Sequence, residues 1–427
     1  MLVSAIIISI LALLFLRVPV FASLILGTLI PFSIVEGNHA VNLLADVFYT
    51  RLANYLFVAI PAFALMAQIL VRTDAITDLY NSLYTITKRL PGSLGVATIA
   101  LSTTFSAISG SSVATTLTVG GVAIPQMRRF GYPRRFIFGL VAAGGTLGIL
   151  IPPSIGLIVY GVIADVSIGA LFLAAMVPAL LLVSLFSVFT LIMGFRMPQV
   201  TPPKSIADSG GKKYWRSIPT LTLPLIIIGG IYGGAFTATE AAVVAAVWAA
   251  LIAAILYRKF SFAFLMDSAR ASARTTVMLF FIVGGAAYFS HVLVYLNLPD
   301  LLLDFMLTLE LSRTFLFASL LFGILLLGMF MDGMSVTLIT TPIIVPVLNA
   351  FGFDLLWYGV VLIITLEASL LTPPVGLNLY VIKSISDAKF NEVLLGVLPF
   401  LALMVCTLIL IIVFPQLVLW FPSKVFQ

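Results

Sequence analysis

The chain is a succession of long apolar stretches separated by short polar gaps. A membrane-crossing α-helix needs roughly 20 predominantly apolar residues, whereas a membrane β-strand alternates apolar and polar positions. The stretches are continuous rather than alternating, so the pattern predicts an all-α polytopic membrane protein. They lie at about 2–16, 18–35, 52–71, 94–127, 136–164, 168–193, 218–236, 239–257, 276–298, 314–346, 355–382 and 393–414.

One long polar segment divides the apolar pattern into two halves. Residues 196–216 read RMPQVTPPKSIADSGGKKYWR. Proline, glycine and charge at this density cannot be buried in lipid, because backbone and side-chain polar groups would lose their hydrogen bonds. The segment is therefore expected to be a linker outside the membrane.

The two halves repeat each other in the same order. SGSSV (109–113) matches DGMSV (332–336), and IPPSIGLIVY (151–160) matches TPPVGLNLY (372–380) with one residue deleted. LFVAIPAFALMAQILV (56–71) likewise matches LFFIVGGAAYFSHVLV (279–294). An odd number of predicted crossings separates corresponding points, so the repeats are expected to be inverted, an arrangement typical of secondary transporters.

Charge placement gives the orientation. The basic clusters at 128–135, in the linker and at 258–274 are separated by even numbers of crossings, which places them on the cytoplasmic face under the positive-inside rule. Asp165 and Asp354 fall on the opposite face, and Lys88–Arg89 is the exception. The net charge of +6 is thereby explained by topology, and we expect no nucleic-acid partner.

Two segments carry helix breakers near their centres. Pro61 interrupts 52–71, and Gly284–Gly285 interrupts 276–298. Both are expected to form re-entrant hairpins, with an ordinary kinked helix as the alternative. The expected organisation is N-terminal scaffold helices, the first inverted repeat, the linker, further scaffold helices, the second inverted repeat, and a C-terminal scaffold helix with a tail, at 1–50, 51–195, 196–217, 218–275, 276–392 and 393–427.

Composition excludes other classes of protein. The chain is 62% apolar and 9% charged with a mean hydropathy of +1.21, whereas a soluble globule is about a quarter charged. One cysteine and two histidines are too few for a disulfide framework or a Cys- or His-based metal centre. Neither a nucleophile with a base nor a phosphate-binding G-x-x-x-x-G-K-[ST] motif is present, so we expect neither an enzyme nor ATP-driven transport.

Four breaks rich in glycine, serine or proline interrupt the apolar stretches, at 109–112, 148–153, 332–335 and 369–374. In hydrocarbon an unpaired backbone group costs several kcal/mol, so a break is stable only where it lines a cavity or holds an ion. Uncharged oxygen ligands suit an alkali cation such as Na⁺. The candidate ligands are Ser109, Ser111, Gly148, Ile151 and Pro153 in the first half, and Gly333, Ser369 and Thr372 in the second. The alternative is that these small residues serve helix packing.

Two acids lie in otherwise apolar segments. Asp332 and Glu367 are candidates for ligating the cation or carrying a proton, because intramembrane acids are commonly functional. The alternative is an acid that reaches water at a break or pairs with a distant base.

The transported molecule is expected to carry a negative charge. Helix N-termini at mid-membrane attract carboxylates through their free N–H groups. Hydroxyls next to the breaks could assist, namely those of Ser112, Thr115, Thr116, Thr337 and Thr340. No arginine lies convincingly at mid-membrane, so the sequence predicts no bidentate arginine–carboxylate clamp.

At these residues the chain resembles the large membrane subunit of the tripartite ATP-independent periplasmic (TRAP) transporters, the DctM-like family. The resemblance spans essentially the whole chain. It is most specific at SAISGSSVATT (106–116), VGGVAIPQMRRFGYPRRF (119–136), GTLGILIPPSIGLIVYG (145–161), MDGMSVTLITTPIIVP (331–346) and EASLLTPPVGLNLYV (367–381).

The resemblance implies a Na⁺-driven uptake system for organic acids such as C4-dicarboxylates and sialic acids, in the bacterial inner membrane and in contact with its lipids. It further implies a small four-helix membrane subunit and a periplasmic substrate-binding protein as partners. The family's cation sites fall on the two sets of residues named above, although Ser369 stands where a glycine is more usual.

The resemblance also implies an elevator mechanism, with amphipathic arms at 72–90 and 299–313 joining the moving unit to a scaffold.

A stand-alone Na⁺- or H⁺-coupled anion symporter would share the repeats without needing partners and is the main alternative. A channel would need a continuous polar face, which these local breaks do not provide.

Overall fold

The fold is α-helical throughout the residues that the computed structural model describes, which are 2–16, 18–196, 210–298, 301, 308 and 312–425. Within these ranges six helical segments are long and apolar enough to cross a membrane, and a seventh results if one bent helix pair is taken as a single span. The expected polytopic membrane architecture is thus confirmed.

The helices of the first half form a set that we call the first repeat. They are α1 (Leu2–Phe15), α2 (Val20–Glu36), α3 (Asn38–Leu52), α4 (Ala59–Val71), α5 (Ala75–Thr87), α6 (Ser93–Ser109), α7 (Ser112–Arg129), α8 (Arg134–Gly145), α9 (Leu147–Leu150), α10 (Ile155–Ala164) and α11 (Ile168–Arg196). A 3₁₀ turn (Tyr55–Val58) precedes α4.

The second repeat follows the same order. It contains α12 (Gly210–Tyr232), α13 (Ala238–Leu251, extended by a π turn at Ile252–Leu256), α14 (Phe262–Tyr295), α15 (Arg313–Gly328), α16 (Gly333–Ala350), α17 (Leu355–Ser369), α18 (Leu377–Ser384) and α19 (Phe390–Val413), and α20 (Gln416–Val425) ends the described chain. The helix α14 corresponds to α3 and α4 together, and α15 to α19 correspond to α6 to α11. The order of helices and breaks thus matches over α3–α11 and α14–α19.

Corresponding segments of the two repeats run in opposite directions. At one end of the molecule Arg134, which begins α8, forms a 3.1 Å ion pair with Asp387, which follows α18. At the other end the Tyr160 hydroxyl in α10 donates a 2.6 Å hydrogen bond to the carbonyl oxygen of Leu355, which begins α17. The start of α8–α10 therefore lies beside the end of α17–α18, and the end of α8–α10 lies beside the start of α17–α18. The two broken segments are antiparallel, as expected for inverted repeats.

Helices of each repeat pack on helices of the other repeat. Helix α2 of the first repeat packs on α14 of the second, and α13 of the second packs on α4 of the first. In the same way α10 packs on α16, and α18 packs on α7. These contacts join the two repeats into one packed unit.

Charged side chains join the two repeats at the basic end. Arg128 of α7 and Arg134 of α8 both contact Asp387, and Arg134 also reaches Glu392 at 3.2 Å. The hydrogen bond from Arg128 holds the pKa of Asp387 below its ordinary value, so this carboxylate stays ionised at neutral pH. The loop after α18 is thereby tied to the loop between α7 and α8.

The break predicted at Gly284–Gly285 is wrong, because α14 is continuous through both residues. Their missing side chains serve close packing instead. A Cβ on Gly284 would lie 2.5 Å from the Phe48 ring, and one on Gly285 would lie 3.2 Å from the carbonyl oxygen of Phe21. Without proline to remove a hydrogen bond, small residues permit close helix contact and leave the helix intact.

In the first repeat the break lies earlier than predicted. Pro61 sits in the first turn of α4, where a missing N–H is tolerated. The chain instead bends by 65° between α3 and the helical segment Tyr55–Val71. Asn54 stabilises this bend, since its side chain accepts a 3.0 Å hydrogen bond from the Leu56 N–H.

The linker also differs from its prediction. Residues 210–216 are helical and begin α12, because a polar helical turn costs nothing where it projects beyond the lipid. Residues 197–209 lie outside the described part of the chain. Of the two expected arms, the first contains α5, whereas most of 299–313 lies outside the described residues.

Helices α8 and α19 cross with their backbones in contact. A Cβ on Gly396 would overlap the carbonyl group of Arg135, and one on Gly139 would overlap the carbonyl group of Gly396. Only glycine fits at either position, and the contact joins one repeat to the other.

We expect Gly396→Ala to lower the free energy of unfolding by about 1–3 kcal/mol, because the added methyl group must push α8 and α19 apart. Thermal unfolding of the detergent-solubilised protein measures the change. Gly323→Ala is the matched control, since a Cβ there meets nothing within 4 Å. Equal melting temperatures for the two variants would contradict this packing.

Candidate ion and substrate site

All four predicted breaks are present, and those of the first repeat contact each other. Helix α6 ends at Ser109, Gly110 takes the left-handed conformation with φ 58°, and α7 begins at Ser112. A Cβ on Gly110 would lie 3.2 Å from the backbone nitrogen of Ile155 and 3.4 Å from the carbonyl oxygen of Pro153. Glycine is needed here both for its positive φ and for the close approach of the two breaks.

The first candidate cation set is assembled around this contact. A Cβ on Gly148 would lie 2.6 Å from the carbonyl oxygen of Ser111. The Ser109 hydroxyl donates to that same oxygen at 3.3 Å and lies 2.8 Å from the Thr115 hydroxyl. Ser109, Ser111, Gly148 and Pro153 are therefore neighbours, and buried Ile151 ends α9 in an extended conformation.

Two helix C-termini bring free carbonyl groups to this region. Helices α6 and α9 both terminate at the breaks, and the last carbonyl groups of a helix have no intrahelical donor. Their partial charges make a helix C-terminus attractive to cations. Pro152 and Pro153 add no N–H groups that could occupy these carbonyls.

The second candidate set has the same framework with different side chains. The Met329 carbonyl oxygen accepts a 3.3 Å hydrogen bond from the Gly376 N–H, which joins the break after α15 to the break after α17. Thr372 donates to the Ala368 carbonyl at 2.7 Å, and Ser369 donates to the Leu366 carbonyl at 2.6 Å. Gly333 lies beside Leu366, with 3.7 Å from an added Cβ to the Leu366 Cβ.

Ser369 occupies the place of a glycine because a neighbour makes room for it. A Cβ on Gly328 would overlap the Ser369 hydroxyl. In the first repeat the residue equivalent to Ser369 is Gly148, and this position itself has no space for a side chain. The serine is therefore accommodated, and its hydroxyl stays at the second break.

The helix caps correct the alignment of the repeats. Ser111 caps α7 by accepting from the Ala114 N–H at 3.4 Å, and Asp332 caps α16 by accepting from the Ser335 N–H at 3.1 Å. Structurally Asp332 thus corresponds to Ser111, whereas the match of SGSSV with DGMSV pairs it with Ser109. The same cap is neutral in one repeat and acidic in the other.

Glu367 joins the two repeats at their centre. Its side chain is only 1% exposed, and Oε1 accepts a short hydrogen bond from the Ser112 hydroxyl at the start of α7. Oε2 is buried with no hydrogen-bond partner among the described residues. Glu367 also lines a narrow crevice with Gly156 of the first repeat and Gly333 and Thr337 of the second.

The candidate substrate hydroxyls are engaged within the protein. Ser112 is bonded to Glu367 and Thr115 to Ser109. The other three donate to carbonyl groups one turn earlier in their own helices, at 2.8 Å in each case, namely Thr116, Thr337 and Thr340. All five are buried. Furthermore, the N-termini of α7 and α16 already have carboxyl groups against them, those of Glu367 and Asp332.

A larger cavity lies beside the crevice and was missed from sequence. It has a volume of about 170 Å³ and is bounded by the α3–α4 bend, α10, α14 and α16. Its polar residues are Arg51, Ser290 and His291. The only sequence signal was an arginine directly before an apolar segment, which a topology argument assigns to the membrane surface.

Comparison with known proteins gives a consistent result. The family described as tripartite ATP-independent periplasmic transporter, DctM component, matches residues 7–417. The chain is 33% identical to the sialic acid TRAP transporter large permease protein SiaM of Vibrio cholerae, over 97% of this chain and 96% of that protein. It is also 33% identical to the C4-dicarboxylate TRAP transporter large permease protein DctM of Pseudomonas aeruginosa, over 90% of each.

Among solved structures, the Alcanivorax borkumensis YdaH transporter has a similar fold. Its TM-score is 0.63 at 13% sequence identity, with 90% of each chain covered. At this identity the similarity concerns the fold alone.

We expect Ser112→Ala to lower the free energy of unfolding by about 1–3 kcal/mol, because it leaves the buried Glu367 carboxyl group without its donor. Glu367→Gln in the same background should recover part of the loss. Thermal unfolding of both single variants and the double variant measures the coupling. Additivity within about 0.5 kcal/mol would contradict the contact between Ser112 and Glu367.

Proposed function

The chain belongs to the DctM family of tripartite ATP-independent periplasmic transporters, and from that premise we propose that it carries a small organic acid inward together with Na⁺. It is an inner-membrane permease subunit rather than an enzyme, as its relatives are. The observation that carries the proposal is the convergence of broken helices from two inverted repeats on two sets of oxygen atoms.

The chemistry of these oxygens favours a monovalent cation. The first set offers serine hydroxyls and carbonyl groups at the ends of α6 and α9, with no charged ligand. Divalent cations are usually bound by several carboxylates, whereas Na⁺ is held by unwound backbone carbonyls and helix C-termini in other transporters. We assign the first Na⁺ to Ser109, Ser111, Gly148, Ile151 and Pro153, and the second to Gly333, Ser369 and Thr372.

The two sites differ in charge. The second site has Asp332 at the cap of α16, where the first has Ser111. A carboxylate close to a cation adds coulombic attraction that a hydroxyl lacks. The second site should therefore bind Na⁺ more tightly than the first, and Glu367, which contacts both repeats, is the candidate for coupling their occupancy.

The hydrophobic core forms two clusters, and an elevator movement could shift one cluster against the other. Helices α1 to α3 pack with α14 in one hydrophobic cluster, and α6 to α9, α17 and α19 pack in another, while α10 and α16 contribute residues to both. We propose that the broken helices move as a unit against α1–α3 and α14, with the α5 arm as a connection. Cation binding would neutralise the breaks and so lower the cost of moving them through the membrane.

The relatives support the choice of substrate and partners. One is named for sialic acid and another for C4-dicarboxylates, and both are large permease proteins. We propose an organic acid of this kind for this chain, delivered by a periplasmic substrate-binding protein, with a small four-helix membrane subunit completing the complex. Strict dependence of uptake on the binding protein separates this function from that of a stand-alone Na⁺- or H⁺-coupled symporter.

Replacing Ser109 and Ser111 together by alanine should abolish uptake or its dependence on Na⁺, because two hydroxyl ligands of the first site are lost. Uptake by the reconstituted complex is measured at varied Na⁺ under a fixed membrane potential. Ser319→Ala, which removes an exposed hydroxyl from α15, is the control. Unchanged Na⁺ dependence in the double variant would refute the first site.

Asp332→Asn should raise the Na⁺ concentration for half-maximal uptake roughly 10-fold, because the capping oxygen is retained while its charge is lost. Asp354→Asn is a closely matched control. Asp354 caps α17 by accepting a 2.9 Å hydrogen bond from the Trp357 N–H, but it lies at the end of the molecule away from the breaks. Equal Na⁺ dependence in the two variants would refute the second site.

A further inference from the structure

We propose that the cavity between the α3–α4 bend, α10, α14 and α16 binds the carboxylate of the transported acid, with Arg51 as its ionic partner. Ser290 and His291 supply further hydrogen bonds to the same ligand. The inference rests on the proposed function and assigns it a substrate site.

Charge is the first argument. Arg51 has neither a hydrogen bond nor an ion pair within the described part of the chain, and no acidic residue lines the cavity. A guanidinium group presents a planar fork of N–H donors that matches a carboxylate in a bidentate geometry. The cavity therefore has a positive charge with no counterion of its own.

The rest of the lining suits the remainder of a small organic molecule. Ser290 and His291 lie on α14, close to one another, and each can donate a hydrogen bond. The other walls are apolar and are formed by Phe57, Val162, Ile163, Val283, Ala287, Val294, Leu338 and Pro342. A few convergent polar groups in a mainly apolar pocket are typical of a ligand site.

Size separates this cavity from the crevice at the breaks. The cavity has about 170 Å³ of space, whereas the crevice has no room for a group the size of a water molecule. Of the two, only the cavity has room for the carboxylate end of a small organic acid.

The helix N-termini offer no comparable site. The start of α7 faces the Glu367 carboxyl group, and the start of α16 is capped by Asp332. At α16 the Asp332 carboxylate would repel a substrate carboxylate, and at α7 the Glu367 side chain already occupies the helix end. Arg51 has no such competitor.

Helix α16 connects the two sites. Met334 and Thr337 line the crevice together with Glu367, and Leu338 and Pro342 line the cavity on the following turns. Arg51, in contrast, belongs to α3, which packs with the proposed scaffold. Movement of α10 and α16 away from α3 would withdraw the acid from Arg51, so this site would favour binding in one position and release in the other.

The test uses the complete transporter reconstituted with its small subunit and binding protein, with radiolabelled N-acetylneuraminate and succinate as probes. Arg51→Gln should raise the KM of the transported acid roughly 10- to 100-fold, because a charge-assisted bidentate contact is lost. Arg51→Lys should have a smaller effect. The Na⁺ concentration for half-maximal uptake should change little in either variant.

Arg274→Gln is the matched control, since Arg274 is exposed on α14 and does not line the cavity. Ser290→Ala and His291→Gln provide a second route if Arg51→Gln fails to fold, and each should raise the KM several-fold. A KM within twofold of the wild-type value in all the folded cavity variants would overturn the site.

Binding is measured separately from transport, as the rise in melting temperature of the same complex without its binding protein when either acid is added. Wild-type complex should be stabilised, and Arg51→Gln should not. Stabilisation without Na⁺-dependent uptake would refute the proposed function and keep the anion site. Uptake without any stabilisation, or equal stabilisation of Arg51→Gln, would overturn the anion site and keep the proposed function.

Discussion

The cost of leaving a peptide group without a hydrogen bond inside the bilayer determines where this chain stops being helical. Each interruption exposes carbonyl and N–H groups that lipid cannot satisfy. The chain meets this requirement by placing the interruptions against each other. Gly110 fits only because it has no side chain, and Gly148 lies against the backbone of Ser111 for the same reason. Carbonyl and hydroxyl oxygens of the two breaks in the first repeat are thereby brought close together.

The two repeats share this backbone framework but differ in charge. Ser111 and Asp332 cap equivalent helices, and Glu367 of the second repeat binds the first helix turn of the first. All acidic groups at the breaks therefore come from the second repeat. This difference would give the two proposed cation sites different affinities, and it places protein carboxyl groups at the helix N-termini where a negatively charged substrate would otherwise bind.

Sequence patterns predicted the interruptions well because proline and left-handed glycine act locally. Ser109–Ser112 and Pro152–Pro153 were located correctly, since no neighbouring helix can restore a missing N–H or remove a positive φ. The break predicted at Gly284–Gly285 was wrong because glycine also permits close helix packing. The packing partner of Gly284, Phe48, is far away in sequence. The position of Arg51 at a cavity was missed because α10, α14 and α16 approach it only in the folded chain. Similarly, the alignment of Asp332 with Ser111 required the hydrogen bonds of the caps.

One difference between the repeats has an effect on the whole cycle. The chain bends by 65° between α3 and the segment that leads into α4, whereas the equivalent α14 is one continuous helix. Strictly symmetric repeats would make the outward-open and inward-open forms mirror images of equal energy. A bend in one repeat and a continuous helix in the other remove that equality of energy. The empty transporter should consequently rest mostly in one orientation. Its rates of inward and outward transport should then respond differently to the same substrate gradient.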